Sequence, residues 1–167
     1  MFRPSTGTWF LRTASPTAIV WGQNLDVPVP GDYDGNGTTD LAVFRPSNNT
    51  WYVRTAAPFA VVWGTAGDIP VPGDYDGNGT ADIAVFRETT GTWYLRTAAP
   101  TAIVWGQNGD VPVPGDYDGN GTVDLAVFRP SNNTWYVRTG APFAVVWGAA
   151  GDIPVPLPQA IYRAYFP

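Results

Sequence analysis

The sequence predicts an all-β protein, a β-propeller-like array of four units of 42 residues, mostly with four strands each. Tryptophans recur at this interval in two series: Trp9, Trp51, Trp93 and Trp135, and Trp21, Trp63, Trp105 and Trp147. A period near 40–45 residues is typical of propeller blades and related β arrays. No segment has the 3.6-residue hydrophobic period of a helix, so no helix is expected. An open or linear stack of small β units would leave the same periodic trace, and this alternative stays open.

The repeat predicts a single domain over residues 1–167. Its units cover approximately 1–30, which is incomplete at its start, 31–72, 73–114 and 115–156. Residues 157–167 are expected to form a C-terminal closing strand that lacks the acidic loop, because Ile161–Arg163 matches Val127–Arg129. Such a strand could pair beside the first unit of its own chain or beside that of another copy.

A second period of 84 residues lies over the first. Residues 5–46 and 89–130 differ at only five positions. Such near-identity indicates either a recent duplication or an engineered repeat scaffold, and the sequence does not separate the two.

Each unit is expected to give four short strands that are rich in β-branched and aromatic residues. In the second unit the strands are predicted at Asp40–Arg45, Thr50–Thr55, Phe59–Trp63 and, more weakly, Ile69–Val71. Turn residues separate the four segments. Prolines alternate in the fourth segment and cannot donate a ladder hydrogen bond, so that strand should lie at a sheet edge.

The composition excludes several classes of function. The net charge of −5 argues against a nucleic-acid partner. No run of 18 apolar residues is present, so no membrane span is expected. Histidine and cysteine are absent and Glu88 is the single glutamate, which leaves little for general acid–base catalysis. We therefore expect a protein that is not an enzyme.

The most informative motif is a ten-residue acidic segment, Gly31–Asp40, which returns at Gly73–Asp82 and Gly115–Asp124. Nine of the fourteen acidic residues of the chain lie in these three loops. Oxygen donors fall at positions 1, 3, 5 and 9 of each loop, and a backbone carbonyl is available at position 7. The predicted metal ligands are Asp32, Asp34, Asn36, Thr38 and Asp40; Asp74, Asp76, Asn78, Thr80 and Asp82; and Asp116, Asp118, Asn120, Thr122 and Asp124.

The donor set favours Ca²⁺ at three sites, because Ca²⁺ takes six to eight oxygen ligands in irregular geometry, whereas Mg²⁺ demands a strict octahedron. An EF-hand would need a glutamate at position 12, and Val43 stands there. The alternative is a loop of Asx turns without a metal. Three Ca²⁺ ions would add +6 to the net charge of −5 and bring the sum to +1.

The acidic loop followed by Leu41–Arg45 resembles the calcium loops of FG-GAP/VCBS-type repeats, which are found in integrin α-chain propellers and in many secreted bacterial proteins. The resemblance covers nearly the whole chain. It implies a β-propeller, Ca²⁺ in the loops and an extracellular or cell-surface location, with the export signal absent from this chain. It also implies a non-catalytic binding or adhesion module, whose glycan or protein ligand the sequence does not identify.

A second function remains open from the residues alone. The domain could be architectural, with open ends that exchange strands between copies and form a homo-oligomer or a filament.

Three groups of periodic side chains have competing interpretations. Tryptophans such as Trp51 could stack on sugars, but large aromatic residues at repeat positions are more often core. Tyr33, Tyr75 and Tyr117, at position 2 of the loops, are better candidates for ligand contact, and the alternative is that they simply pack on the neighbouring unit. Arg54 is expected to pair internally with Asp68 in a bidentate ion pair, although it could also bind a carboxylated ligand.

Overall fold

The computed structural model describes residues 1–155, which form four antiparallel sheets and so confirm the all-β expectation. The first sheet contains β1 (Phe2–Arg3), β2 (Thr8–Leu11) and β3 (Thr17–Val20). The second contains β4 (Val27–Pro28), β5 (Leu41–Arg45), β6 (Thr50–Arg54) and β7 (Phe59–Val62). The third contains β8 (Ile69–Pro70), β9 (Ile83–Arg87), β10 (Thr92–Arg96) and β11 (Thr101–Val104). The fourth contains β12 (Val111–Pro112), β13 (Leu125–Arg129), β14 (Thr134–Arg138) and β15 (Phe143–Val146). The closing strand expected at 157–167 lies outside the described residues.

Within every sheet the strands follow one another in chain order, and in the three four-stranded sheets the proline-containing strand lies at the edge as predicted. The acidic loop joins this edge strand to the next strand of the same sheet, for example β4 to β5, and Val29 N donates to Ala42 O at 2.9 Å. Each complete sheet therefore takes its first strand from the end of the preceding sequence unit. The sheets span 27–62, 69–104 and 111–146 rather than the units read from the repeat.

The expectation of no helix is wrong for two 3-10 segments of three residues, Pro4–Thr6 and Glu88–Thr90. Each leads into a glycine in the left-handed region, and Gly7 has φ +59°. A Cβ at Gly7 would lie 2.2 Å from the carbonyl oxygen of Gly22, so no side chain fits there. The other two sheets place Asn49 and Asn133 at the same step, with φ of 53° and 52°. Asparagine is among the few residues that tolerate this conformation.

Tryptophans supply both the core and the connections between sheets. Trp51 and Trp93 are fully buried, which confirms the core interpretation for them. The second tryptophan series bonds each sheet to the next through equivalent contacts of the indole Nε1. These contacts are Trp21 to Tyr52 O at 3.0 Å, Trp63 to Tyr94 O at 3.1 Å and Trp105 to Tyr136 O at 3.1 Å. The fourth member, Trp147, is 75% exposed.

The ion pairs of the repeat involve a different arginine from the one predicted. Asp68 pairs with Arg87 at 2.9 Å, and the equivalent pairs are Asp26 with Arg45 and Asp110 with Arg129. The prediction of Arg54 was wrong because it ignored the strand register. Ile69 pairs with Phe86, which places Asp68 beside Arg87 across the β8–β9 ladder.

Each paired guanidinium also lies over a tyrosine ring, for example Arg45 over Tyr52 at 4.2 Å from the ring centroid. The hydrogen bond to Asp26 is the main cause that raises the pKa of Arg45. Arg54 and its equivalents Arg12, Arg96 and Arg138 are exposed, and no salt bridge to them is found within residues 1–155.

Closure of the four sheets into a ring is not seen in the described part of the chain. None of the helical segments in this part is long and apolar enough to cross a membrane.

Candidate metal centre

The fold brings together the three aspartates of each acidic loop. In the first loop these are Asp32, Asp34 and Asp40, whose carboxylates each offer an oxygen within 4.8 Å of the others. The same clusters form at Asp74, Asp76 and Asp82 and at Asp116, Asp118 and Asp124. The loop closes on itself because Gly31 and Asp40 form an isolated antiparallel bridge, which holds positions 1 and 9 on the two sides of one turn.

Backbone donors hold the first aspartate of the loop in place. The carboxylate of Asp32 accepts hydrogen bonds from Gly35 N and Gly37 N, both at 2.8 Å. The two glycines have φ of 72° and 83°, a region in which side chains are strained, and this lets the chain wrap tightly around the carboxylate. The loop therefore holds its shape through its own hydrogen bonds.

The last aspartate is the buried member of the cluster. Asp82 is 7% exposed, and its Oδ2 accepts a hydrogen bond from Tyr75 N at 2.9 Å. Burial is the main cause that raises the pKa of Asp82; the bond from Tyr75 lowers it, and the charges of Asp76 and Asp74 raise it. A cation at this position would favour the ionised carboxylate, which burial and the neighbouring charges disfavour.

The predicted ligands at positions 5 and 7 form a hydrogen-bonded pair with each other. Asn36 Oδ1 accepts from Thr38 N at 2.8 Å and also from the Thr38 hydroxyl. The third loop repeats this with Asn120 and Thr122 at 2.7 and 2.5 Å. The structure thus clusters the nine aspartates, while the ligand roles of the asparagines and threonines stay predictions. A metal bound by the amide oxygen would have to replace one of these bonds, since the oxygen has two lone pairs.

Consecutive loops are bonded to each other. Ala81 N donates to Asp32 O at 2.7 Å, and Val123 N donates to Asp74 O at 2.8 Å. The aspartate that presents a carboxylate to its own cluster therefore presents its carbonyl to the next loop. Sequence reasoning missed this contact, because it uses the backbone of position 8, where the side chain varies among Thr39, Ala81 and Val123.

Of the two interpretations of the tyrosines at position 2, packing within the array is the one that the structure shows, not surface contact. Each is half-buried and its hydroxyl donates to a carbonyl of the same sheet at 2.7 Å: Tyr33 to Val29, Tyr75 to Val71 and Tyr117 to Val113. A side chain that points away from the loop cluster points here into the space between sheets, which is the packing alternative. Burial raises the pKa of all three phenols, that of Tyr117 to about 12.

These tyrosines predict a loss of stability in alkali. The pKa of each phenol is higher in the folded state than in the unfolded state, where it is about 10. The free energy of unfolding is therefore unaffected below about pH 10 and falls as the pH rises above it. Between pH 10 and 11.5 the free energy of unfolding should fall by up to about 1.4 kcal/mol per pH unit for each of Tyr33 and Tyr75. Urea unfolding across this range tests it. Tyr75→Phe should flatten the dependence, and an unchanged slope would contradict the assignment.

Comparisons of the chain with models of protein families, with curated proteins and with solved structures gave no match. The case for a metal centre therefore rests on the donor chemistry of the loops. Three carboxylates within 4.8 Å of one another in three equivalent loops fit a hard divalent cation.

Proposed function

We propose that this protein is a non-catalytic, calcium-stabilised repeat domain that works as a binding or adhesion module outside the cell. The observation that carries the proposal is the gathering of three aspartates in each of three equivalent loops. The ions would be held by these nine aspartates, together with the amide oxygen of position 5 and the carbonyl of position 7. A propeller-like array of the FG-GAP/VCBS kind, closed between copies rather than within one chain, is the arrangement that we propose for the four sheets.

Charge favours a dication over an empty loop. Three carboxylates held within 4.8 Å repel one another, and one Ca²⁺ would leave the loop near −1. The irregular arrangement of the loop and its mixed oxygen donors suit Ca²⁺ better than Mg²⁺, which demands a near-ideal octahedron. Sites of this exposure belong to the extracellular range of affinity, with Kd on the order of 10⁻⁴ to 10⁻³ M.

Calcium would stabilise more than its own loop. The carboxylate of Asp32 belongs to the first cluster, and its backbone carbonyl accepts a hydrogen bond from Ala81 N of the second loop. An ion that fixes Asp32 therefore also fixes the acceptor of Ala81 N. The three sites form one bonded row along the array, so we expect calcium to stabilise the contacts between sheets as well as each turn.

The exposed arginines supply a ligand surface at the same end of the sheets. Arg54 pairs with Leu41, the residue that follows Asp40 of the cation loop. Arg54, Arg96 and Arg138 therefore each present an exposed guanidinium beside the acidic loop of their sheet, and Arg12 is their exposed equivalent in the first sheet. Calcium would shift the net charge from −5 to +1, since three ions add +6. We propose a carboxylated or sulfated glycan, or an acidic protein, as the ligand of this surface.

Calorimetric titration of the chelator-treated protein tests the calcium assignment. We expect three Ca²⁺ per chain and much weaker binding of Mg²⁺. At a calcium concentration of about 100 Kd, each site should add about 2.7 kcal/mol to the free energy of unfolding. A titration without heat or with no change in thermal stability would overturn the proposal.

Binding to dextran sulfate tests the ligand surface, with unmodified dextran as the uncharged control. The double variant Arg54→Gln and Arg96→Gln should bind the sulfated polymer more weakly, while Glu88→Gln should not. Retention that persists in the double variant would place the ligand elsewhere.

A further inference from the structure

The fourth sheet ends in an exposed apolar face. We call this the exit face, and its shallow cavity is lined by Tyr117, Trp135, Val137, Phe143, Val145 and Trp147. Phe143 and Val145 are both 45% exposed, and Trp147 is more exposed still. In the second sheet the residues equivalent to Val145 and Trp147 are Val61 and Trp63, which pack against the main core.

The segment after the exit face has the parts of a sheet edge. Asp152 repeats Asp68, and its Oδ2 accepts a hydrogen bond from Ala149 N at 2.9 Å, as Asp68 does from Thr65 N at 2.9 Å. Ile153 and Pro154 repeat β8, which pairs with the strand of Phe86 and Val85. Within the described residues Asp152 has no arginine partner, and Ile153 is 57% exposed. A preformed turn therefore ends in a segment that repeats the sequence of an edge strand but forms no ladder in residues 1–155.

The first sheet has the complementary gap. It contains three strands, and within residues 1–155 no proline-type edge strand pairs with β1. Arg3 occupies the position of Arg45 and Arg87, is exposed and has no aspartate partner in the described part of the chain. The carbonyl of Phe10 occupies the position of Tyr52 O, which accepts the indole N–H of Trp21 from the preceding sheet.

We propose that a second copy of this chain docks its first sheet on the exit face, so that the inter-sheet interface of the array is repeated between two molecules. Ile153 and Pro154 of one copy extend the first sheet of the next beside Phe2 and Met1, with Asp152 bound to Arg3. Trp147 Nε1 donates to Phe10 O.

The register of this interface follows from the interior ones. Asp68 bonds Arg87 and Ile69 faces Phe86 where the chain leaving the second sheet becomes the edge of the third. Trp63, at the end of the second sheet, bonds Tyr94 O of the third. The two surfaces, which are unpaired within residues 1–155, offer the same groups in the same order, with an anion on one side and a cation on the other. Phe10 O already accepts from the Met1 amino group at 3.0 Å, and its second lone pair remains for the indole. The complementarity is head to tail, so it leads to chains or rings of copies rather than to a two-fold dimer.

Charge exchange with light scattering tests the interface. The parent protein should show masses that rise with concentration in multiples of 18.0 kDa. Asp152→Arg alone and Arg3→Asp alone should each give a mass of one chain, because like charges then face each other. Mixing the two single variants should restore association, because each face meets its opposite charge.

A matched pair of tryptophan variants separates docking from folding. Trp147→Phe removes only the intermolecular donor and should weaken association without loss of thermal stability in the single chain. Trp63→Phe removes an internal donor and should lower thermal stability while association persists. A parent mass of one chain at all concentrations, or association indifferent to the charge exchange, would overturn the proposal. Calcium binding is measured separately by calorimetry, so its failure would be distinguishable.

Discussion

Asp82→Asn is expected to reduce the calcium stoichiometry from three ions to two. The substitution keeps an oxygen that can accept the Tyr75 N–H bond and removes the charge from the buried member of the cluster. The remaining carboxylates, Asp74 and Asp76, would hold an ion poorly. The gain in unfolding free energy at a calcium concentration of about 100 Kd should fall by about 2.7 kcal/mol, one site's share.

The measurement is a calorimetric titration together with thermal unfolding in calcium and in chelator. Glu88→Gln is the matched control, since it removes one negative charge from a turn that contains no aspartate cluster. It should leave three ions bound. In chelator Asp82→Asn should be at least as stable as the parent, because a carboxyl with a raised pKa is replaced by a neutral group. Three ions bound by Asp82→Asn would refute the ligand role of this carboxylate.

Trp93→Ala should produce the largest loss of stability among single substitutions, about 3–5 kcal/mol. The side chain is fully buried, with its ring centroid 5.1 Å from that of Phe86 and 6.4 Å from that of Tyr75. Its Nε1 donates to Trp105 O at 2.8 Å, so truncation also leaves a carbonyl without its donor. The cavity would lie on the side of the third sheet that faces the fourth, within the main core, since Trp93 is the equivalent of Trp135 at the exit face.

Urea unfolding of Trp93→Ala beside Trp135→Ala provides an internal comparison, since the two residues occupy the same repeat position. Trp135 is only half-buried at the exit face, and its truncation should cost clearly less. If both substitutions cost the same in dilute protein, the fourth sheet is covered within the single chain, and the open exit face would be contradicted.

Local patterns were sufficient to predict the strands. Alternating bulky residues and turn residues predicted Asp40–Arg45, and β5 runs from Leu41 to Arg45. The proline pattern predicted an edge strand because it depends on a missing donor, which is a property of the residue itself. The aspartate clusters followed for a similar reason: all their members lie within nine residues of one tight turn.

Contacts that depend on register could not be found in this way. Each complete sheet contains two arginines, and only the β8–β9 pairing shows that Arg87 lies beside Asp68. The direction of Tyr33 depends on the neighbouring sheet, and the bond from Ala81 N to Asp32 O uses backbone alone. None of these leaves a signature in side-chain pattern, because they arise from the placement of one repeat against the next.

The offset between sequence units and sheets has a consequence for how such a chain can change its length. The edge strand of every four-stranded sheet comes from the residues that precede its acidic loop, at the end of the previous sequence unit. The boundaries of the sheets and those of the sequence units therefore never coincide. A duplication within the gene must preserve the spacing of 42 residues, but the residue at which the duplicated block begins does not matter. A duplicated block of one or more periods therefore rejoins in register wherever its ends fall, and the array can lengthen or shorten without any new contact having to be selected.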